Sequence, residues 1–422
     1  MNSNLDPVTR GPIFDSGQGN LHVAMLSLHT SPFVQPGEGD SGGMNVYIRE
    51  LVSSLAHKGV QCTIYVRRWA SSIPDEVMIE PGVRLVHIDA GDPSLSKNEL
   101  PQIVNKFTDE VQKDLSKRPD VDVLHAHYWL SGVSGHILKH RLGIPLVTTF
   151  HTLGKAKGFS GDFEPLNRSL KEQEIIDCSE VVVANSSAEA RQLQDLYGAS
   201  ADRIAVVPLG VEHAFFSPGN QEAARSALGL EDGPIVLFVG RLQPLKGVDL
   251  AIETFASLNI AKATLLIVGG ASGPMGNIEE QGIKELIRSR GLQSQVHLVA
   301  PQPHHILSTF YRASDFVLVP SRSESFGLVA LEAAACGAPV IAASVGGLKD
   351  LIVHGQTGFL IDEREPEAYA RYASQILNNP LLAAEMAMCA AEMARKYSWN
   401  ETANQILRIY DLVTVKELVD CR

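Results

Sequence analysis

Residues 235–247, IVLFVGRLQPLKG, are the stretch on which the fold turns. The run Ile235–Val239 is apolar and rich in β-branched residues, as a buried strand is. Gly240 ends it, and a helical pattern opens near Gly247. The same unit has already appeared once. His22–Ser27 (HVAMLS) reads as a strand, and residues 44–57 (MNVYIRELVSSLAH) follow as a helix with Ile48, Leu51, Val52 and Leu55 on one side. A second start this deep in the chain predicts a second domain.

Working outward, the later strands after Ile235–Val239 are Ala263–Val268, Val296–Val299, Phe316–Pro320 and Pro339–Ala342. Helices are expected at about 247–258, 278–290, 303–313 and 327–336. On the earlier side the strands are Cys62–Val66, Val83–Ile88, Val121–His125, Pro145–Phe150, Val181–Asn185 and Ile204–Pro208. Strands alternating with helices predict parallel sheets covered on both faces. The class is α/β, with two Rossmann-like domains facing a cleft and a break at the Gly- and Pro-rich segment 209–233. The expected division is a loose tail at 1–20, a first domain at 21–212, a second at 213–396 and a terminal helical segment at 397–422. That last segment carries an apolar stripe of Trp399, Ile406, Ile409 and Leu412 that needs a surface to cover it.

The 422 residues suit two or three domains. With 45% hydrophobic and 20% charged residues the chain can build real cores, which excludes a disordered protein. A net charge of −12 and the absence of a basic block argue against a nucleic-acid binder. No apolar run reaches the ~18 residues a membrane span needs, and the N-terminus lacks the apolar core of a signal peptide. The five cysteines are scattered, odd in number and without a CxxC pair. They read as reduced thiols of a cytoplasmic protein, not as a disulfide framework or a zinc site.

In open α/β sheets ligands bind beyond the carboxyl ends of the strands, so the loops there carry the chemistry. Gly37, Gly39 and Gly42 form a G-x-G-x-x-G run. It stands too far from the first strand for a dinucleotide fingerprint, and Arg67 and Arg68 end the next strand where an NAD-binding acid would be. A dehydrogenase using NADP stays as a rival reading. In either case glycines ahead of a helix near Met44 let backbone amides approach an anion. Arg241 and Lys246 project from the loop after Ile235–Val239 and suit a diphosphate, whose charge grows as it leaves. In PSRSESFGLVALEAAACG (320–337) Glu324 stands at a helix mouth and Glu332 lies eight residues on, so both acids can share one face. Glu332 sits in an apolar helix and needs a polar partner; ribose hydroxyls would serve. The amides of Phe326, Gly327 and Leu328 can face the same ligand.

The Glu324-x7-Glu332 helix, followed by Gly337-Ala338-Pro339-Val340-Ile341 and Gly346-Gly347, resembles the retaining glycosyltransferases of family 4, which have the GT-B fold. The resemblance covers roughly residues 21 to 415. It implies a last helix that crosses back to the first domain. The N-terminal motifs His29-Thr30-Ser31-Pro32, Asp40-Ser41-Gly42-Gly43-Met44-Asn45, His125-Ala126-His127-Tyr128-Trp129 and His151-Thr152-Leu153 resemble one branch of that family. That branch transfers N-acetylglucosamine from its UDP donor to 1D-myo-inositol 3-phosphate in mycothiol biosynthesis.

Carried over residue by residue, the resemblance implies that Lys97, Tyr128, Thr152 and Arg168 hold the acceptor phosphate. His29, Asp40, Ser41, Gly42, Gly43, Met44 and Asn45 would surround the inositol. Gly43, Arg241, Lys246, Gln302, Glu324 and Glu332 would contact the donor, with His151 against the transferred sugar. Taken singly, Lys97 is an ordinary surface lysine and Tyr128 an ordinary core aromatic. The resemblance further implies retention by front-face attack without a covalent intermediate, and a homodimer. No metal is required for the core chemistry, with Mg2+ as an optional aid, because no Asp-x-Asp motif is present at a donor site.

One five-residue segment and two single positions depart from that branch. Gly154-Lys155-Ala156-Lys157-Gly158 stands where Ala-Ala-Val-Lys-Asn is usual, Gln302 replaces an arginine, and Ala338 replaces a threonine. Sucrose-phosphate synthases carry a similar His-x-Leu-Gly-x-x-Lys run, so transfer of glucose to a sugar phosphate is the alternative. A nucleotide-sugar-binding regulator without turnover is a further rival, against which the joint presence of Arg241, Lys246, Glu324 and Glu332 speaks.

Overall fold

The computed structural model describes residues 21–34, 41–118, 120–158, 167–271 and 276–421. The expected loose tail, Gly37, Gly39 and Asp40 lie outside the described residues.

The first sheet has eight strands: β1 (His22–Ser27), β2 (Gln61–Arg67), β3 (Glu76–Glu80), β4 (Val83–Ile88), β5 (Val123–His127), β6 (Leu146–Thr149), β7 (Val181–Ala184) and β8 (Ile204–Val206). Their order is β3-β4-β2-β1-β5-β6-β7-β8, parallel except for β3 on the edge. The second sheet has six parallel strands: β9 (Ile235–Val239), β10 (Thr264–Val268), β11 (Val296–Val299), β12 (Phe316–Val319), β13 (Val340–Ala343) and β14 (Gly358–Ile361). Their order is β11-β10-β9-β12-β13-β14. Central strands such as β1, β5 and β12 are buried along their whole length, because helices cover both faces. In each sheet the order reverses beside the first strand, between β1 and β5 and between β9 and β12. Those two reversals are where such folds open a crevice.

Several elements were not expected, among them the helices Pro366–Asn378 and Pro380–Ala394. β3, EVMIE, mixes charges with apolar residues at an exposed edge, so it lacks the continuous apolar run of a buried strand. β14 is four residues long and starts on glycine. The helix Gln221–Ala227 lies within the expected break; Asn220 caps it by accepting from the Ala223 amide at 2.8 Å.

The helix Trp399–Thr414 returns to the first domain and packs on the helix Gly43–Ala56. Trp399, Thr402, Ala403, Ile406, Ile409, Tyr410 and Val413 are its buried residues. Leu412, expected in that stripe, is 42% exposed, and Tyr410 and Val413 take its place, in step with the spacing 399, 402–403, 406, 409–410, 413. The return crosses beside the interdomain linker. The Val211 amide donates to the Tyr397 carbonyl at 3.3 Å, and the Thr402 hydroxyl to the Pro208 carbonyl at 2.9 Å. A Cβ on Gly210 would lie 2.2 Å from the Trp399 nitrogen, so only glycine lets the two crossings touch.

The cysteines correct the sequence reading. Cys62 and Cys336 are buried thiols and Cys389 an exposed one, but Cys178 and Cys421, 243 positions apart, are brought together with their sulfurs within bonding distance. Spacing carries no signal for a pair so distant. Among the described residues no helix is long and apolar enough to cross a membrane.

Candidate active site

The acceptor lobe builds its half of the cleft at the ends of β1, β5 and β6. Tyr128 and His151, just past β5 and β6, have φ of 73° and 61°. Non-glycine residues seldom hold such angles, at a cost of order 1–3 kcal/mol each, and they cluster where function requires them. Tyr128 is the hub. The His29 ring packs on it at 4.4 Å between centroids, the Lys97 ammonium lies 5.2 Å from its ring centre and the Arg168 guanidinium 4.9 Å.

Arg168 is fully buried and spends its donors on the protein. Nε donates to Glu172 at 2.7 Å, Nη1 to the Tyr128 hydroxyl at 3.3 Å, and Nη2 to the Thr152 carbonyl at 2.7 Å and hydroxyl at 3.1 Å. Glu172 also accepts from the Gly154 amide and the Tyr197 hydroxyl. The four residues expected to share an acceptor phosphate therefore do converge. Arg168 stands behind Tyr128 and Thr152 and fixes them, where the sequence reading had it as a direct ligand. A charge buried this deeply must be paired, and an i,i+4 glutamate supplies the pair.

Ser41 and Asn45 were also read as acceptor contacts, and their side chains turn inward instead. Both are 1% exposed. The Asn45 amide accepts from the Gly42 nitrogen at 3.0 Å and donates to Thr30 and Ser31, while the Ser41 hydroxyl donates to the Val34 carbonyl. They hold the loop and the helix start that present Gly42 and Gly43. Met44 packs against both hydrophobic clusters that cover the first sheet, one of which continues into the other lobe. A Cβ on Gly43 would meet nothing within 4 Å, whereas one on Gly42 would lie 3.6 Å from the Arg241 guanidinium of the other lobe. Gly42 thus marks a close approach of the two lobes beside Arg241.

Burial, and then the charges of Lys97, His151, Arg168 and Arg241, hold the His29 imidazole well below its usual range. Three of these neighbours are permanent cations drawn from both lobes, so the space around His29 is positive within an acidic protein. Its Nδ1 is buried with no hydrogen-bond partner among the described residues. A buried polar atom of this kind calls for a ligand or water.

Behind this space lies a histidine chain that motif reading quoted but left without a role. His125 and His127 share one face of β5, as residues two apart on a strand must. His125 Nδ1 meets the Tyr410 hydroxyl at 2.6 Å and its Nε2 the Thr149 hydroxyl at 2.8 Å. His127 Nδ1 meets His151 Nε2 at 3.1 Å. Burial pushes His125 and His151 down to about 3, and His127 well down too, so the chain is neutral near pH 7. His151 is therefore poised as an uncharged hydrogen-bonding group.

The donor lobe contributes the loops after β9 and β12. Lys246 Nζ donates to Glu324 at 2.7 Å, and the Ser321 hydroxyl donates to the same carboxylate oxygen at 3.2 Å. The Glu324 backbone is pinned from behind. The Gly347 amide donates to its carbonyl at 3.0 Å, and a Cβ on Gly346 (φ 48°) would lie 1.8 Å from that oxygen. Ser325 bridges the lobes. Its hydroxyl donates to the His151 carbonyl at 2.5 Å, and its carbonyl accepts from Ser186 at 2.6 Å. The sequence offered no sign of this clasp, because neither serine belongs to a motif with a spacing of its own.

Three donor expectations need revision. Glu332 does not stand beside Glu324 on one helix face; the helix Leu328–Ala335 starts after Glu324, which stays on the loop. Glu332 is buried, accepts from the Tyr311 hydroxyl at 2.8 Å and is pushed up to about 7 by burial. Its polar partner in the structure is a phenol. Gln302 turns back on the Ala300 carbonyl at 2.9 Å. The Phe326 side chain is buried against Tyr397, so only its backbone is on offer, beside Gly327 and Leu328 at the helix start. A cavity of about 400 Å³ opens between the lobes on the flank of this loop, lined by Gln192, Leu196, Ser323 and Gly346 among others. It does not include His151, Arg241 or Lys246, and the chemistry is better placed by the convergent charges than by that hollow.

Comparison with known proteins follows the same division into lobes. Residues 41–215 match the family described as Glycosyltransferase Family 4, and residues 220–397 match Glycosyl transferases group 1. The chain is similar to the D-inositol 3-phosphate glycosyltransferase of Acidothermus cellulolyticus, with 42% identity over 92% of this chain and 89% of that one. It is equally similar to that of Rhodococcus erythropolis, with 42% identity over 92% and 90%. Among solved structures it resembles a sucrose-phosphate synthase from Thermosynechococcus elongatus, with a TM-score of 0.88, 29% identity and coverage of 93% and 99%. An Anabaena HepE solved with UDP and glucose shares the fold at a TM-score of 0.74, 20% identity and coverage of 93% and 100%. With both lobes matched and a cationic cleft at their paired switch points, the chain belongs to glycosyltransferase family 4 and has the GT-B architecture.

Proposed function

We propose that this enzyme transfers N-acetylglucosamine from UDP-N-acetylglucosamine to 1D-myo-inositol 3-phosphate with retention of configuration. The observation that carries the reading is the gathering of Lys97 and His29 on Tyr128, with Arg168 behind binding both Tyr128 and Thr152, in a chain 42% identical to relatives named for that acceptor. A phosphate seated there meets an ammonium and two hydroxyl donors, and a positive field offsets its charge.

On the donor side, Lys246 and Arg241 stabilise the departing diphosphate, whose charge is greatest as the glycosidic bond breaks. Glu324, released from Lys246 as the phosphates take that cation, accepts hydrogen bonds from the sugar. The neutral His151 lies against the sugar. The acceptor hydroxyl attacks from the face the diphosphate leaves, and the leaving oxygen takes its proton. With two cations placed for the diphosphate the core step does not depend on a metal; Mg2+ would act only as an aid. The reading includes a cytoplasmic homodimer.

A second reading, transfer of glucose to a sugar phosphate, is favoured by one feature. A Cβ on Gly154 would lie 3.1 Å from Glu172 and 3.2 Å from Arg168. The alanine usual in the inositol-phosphate branch would thus press on the pair that fixes Tyr128 and Thr152. Turnover assays crossing UDP-N-acetylglucosamine and UDP-glucose with 1D-myo-inositol 3-phosphate and fructose 6-phosphate separate the two. Product from the first donor and first acceptor is expected. Product only from UDP-glucose and fructose 6-phosphate would replace the main reading with the second. Light scattering reports the oligomeric state.

A further inference from the structure

Away from the cleft, four side chains that the transfer chemistry does not use meet on the acceptor lobe. They are His136 and His140 on the helix Trp129–Leu142, Cys178 at the end of the helix Arg168–Cys178, and Cys421 on the segment after Trp399–Thr414. One ligand atom from each lies within 4.8 Å of all the others. His140 Nε2 is 3.2 Å from both sulfurs, and the two imidazoles, one turn apart on one helix face, have centroids 4.9 Å apart.

A buried network brings these segments together. Lys139, between the two histidines, is 2% exposed; its ammonium donates to the Cys178 carbonyl at 2.6 Å and to Glu180 at 2.5 Å. The same Glu180 oxygen accepts from the Val419 amide at 3.0 Å, two residues before Cys421. One ion pair therefore anchors the backbone of both cysteine segments against the helix that carries both histidines.

We propose that His136, His140, Cys178 and Cys421 form a closed Cys2His2 site for a zinc ion. Tetrahedral zinc, with Zn–S of about 2.3 Å and Zn–N of about 2.0–2.1 Å, spaces its ligand atoms about 3.3–3.8 Å apart, inside the span observed here. A disulfide alone gives the two imidazoles no task, whereas two thiolates and two imidazoles are a preferred soft and borderline donor set for zinc. Binding takes two thiols to thiolates and releases two protons, with no change in oxidation state. The sulfurs then stand apart on the ion, and Cys421, on a segment without regular structure, makes that adjustment. With four protein ligands the ion has no open position, so its role is structural: it ties the segment after the last helix to the acceptor lobe.

The test uses the untagged full chain, prepared without added reductant. Elemental analysis after dialysis should find one zinc per chain. Denaturation with chelator should then release all five thiols. Cobalt exchange should give the intense visible bands of a tetrahedral thiolate site. Cys421→Ser and His136→Gln, which leave Cys178 and its buried surroundings intact, should lose the zinc while keeping circular dichroism and glycosyl transfer. A titre of three thiols means a disulfide and overturns the proposal, as does five thiols without zinc, or zinc retained in both variants.

Discussion

The two halves of the cleft hold their charges in opposite ways. In the acceptor lobe Arg168 and Glu172 form an ion pair with no exposed surface, locked by Tyr128, Thr152, Gly154 and Tyr197. In the donor lobe Lys246 and Glu324 form a pair of similar length whose side chains are 26% and 17% exposed. The first is scaffolding that shapes a pocket. The second, on the function proposed above, is a pair of working groups that would neutralise one another until a ligand separates them. The lesson is that burial, more than distance, tells a structural ion pair from a working one.

Mutation puts that contrast at risk. Arg168→Ala should cost about 3–5 kcal/mol of unfolding free energy, since it strands a buried carboxylate. Urea unfolding measures it, and a loss near zero would mean that the pair is not the post of the acceptor site. Lys246→Ala and Glu324→Ala should each lower turnover about a hundredfold or more, ~2.7 kcal/mol of barrier. Each should change stability by no more than about 1 kcal/mol, as expected for a partly exposed pair. Near-normal turnover in both would dismantle the donor site. Asn45→Ala leaves the Gly42 amide and two acceptors without their partner, and a loss of about 1–3 kcal/mol is expected. If instead only acceptor KM rises, at unchanged stability, Asn45 is a direct ligand.

The pH dependence offers a gentler probe of the same lobe. His29, His125, His127 and His151 are held below the ordinary imidazole range by burial. The unfolded chain binds protons from about pH 6.5 downward, while the folded one refuses them. Each such imidazole therefore contributes stability that is present above that pH and lost as pH falls below it, at up to about 1.4 kcal/mol per pH unit. Glu189 and Glu332, raised to about 7 by burial, act the other way, losing stability as pH rises from about 4.5 to 7. The imidazoles outnumber them, so stability should fall on acidification from pH 6.5 to 4.5. His127→Gln should flatten the slope by about one proton's worth. An unchanged slope would place that ring in solvent.

Much of the fold was legible because it rests on local pattern. The restart at Ile235–Val239 announced a second sheet, and its four expected helices fall within two residues of those observed. Elements with weak local pattern escaped: the charged edge strand β3, the short β14 and the polar helix Gln221–Ala227. The cleft residues were legible in part. Lys97, Tyr128, Thr152 and Arg168 do gather, but nothing in their spacing separates the ligand-facing ones from the one behind. Ser41, Asn45 and Glu332 look alike in a motif whether they point into the cleft or into the protein.

Periodicity and composition, by themselves, determined the two parallel-sheet lobes, the place of the loops at the strand ends and the types of charge those loops carry. These follow from side-chain spacing along a strand or helix, which every short window of sequence contains. Only the tertiary structure decided that Arg168 is a post, that Ser325 clasps His151, that Glu332 rests on Tyr311, and that Cys421 meets Cys178 beside two histidines. Each of those depends on residues brought together by packing, and on whether water can reach them, neither of which a local window records.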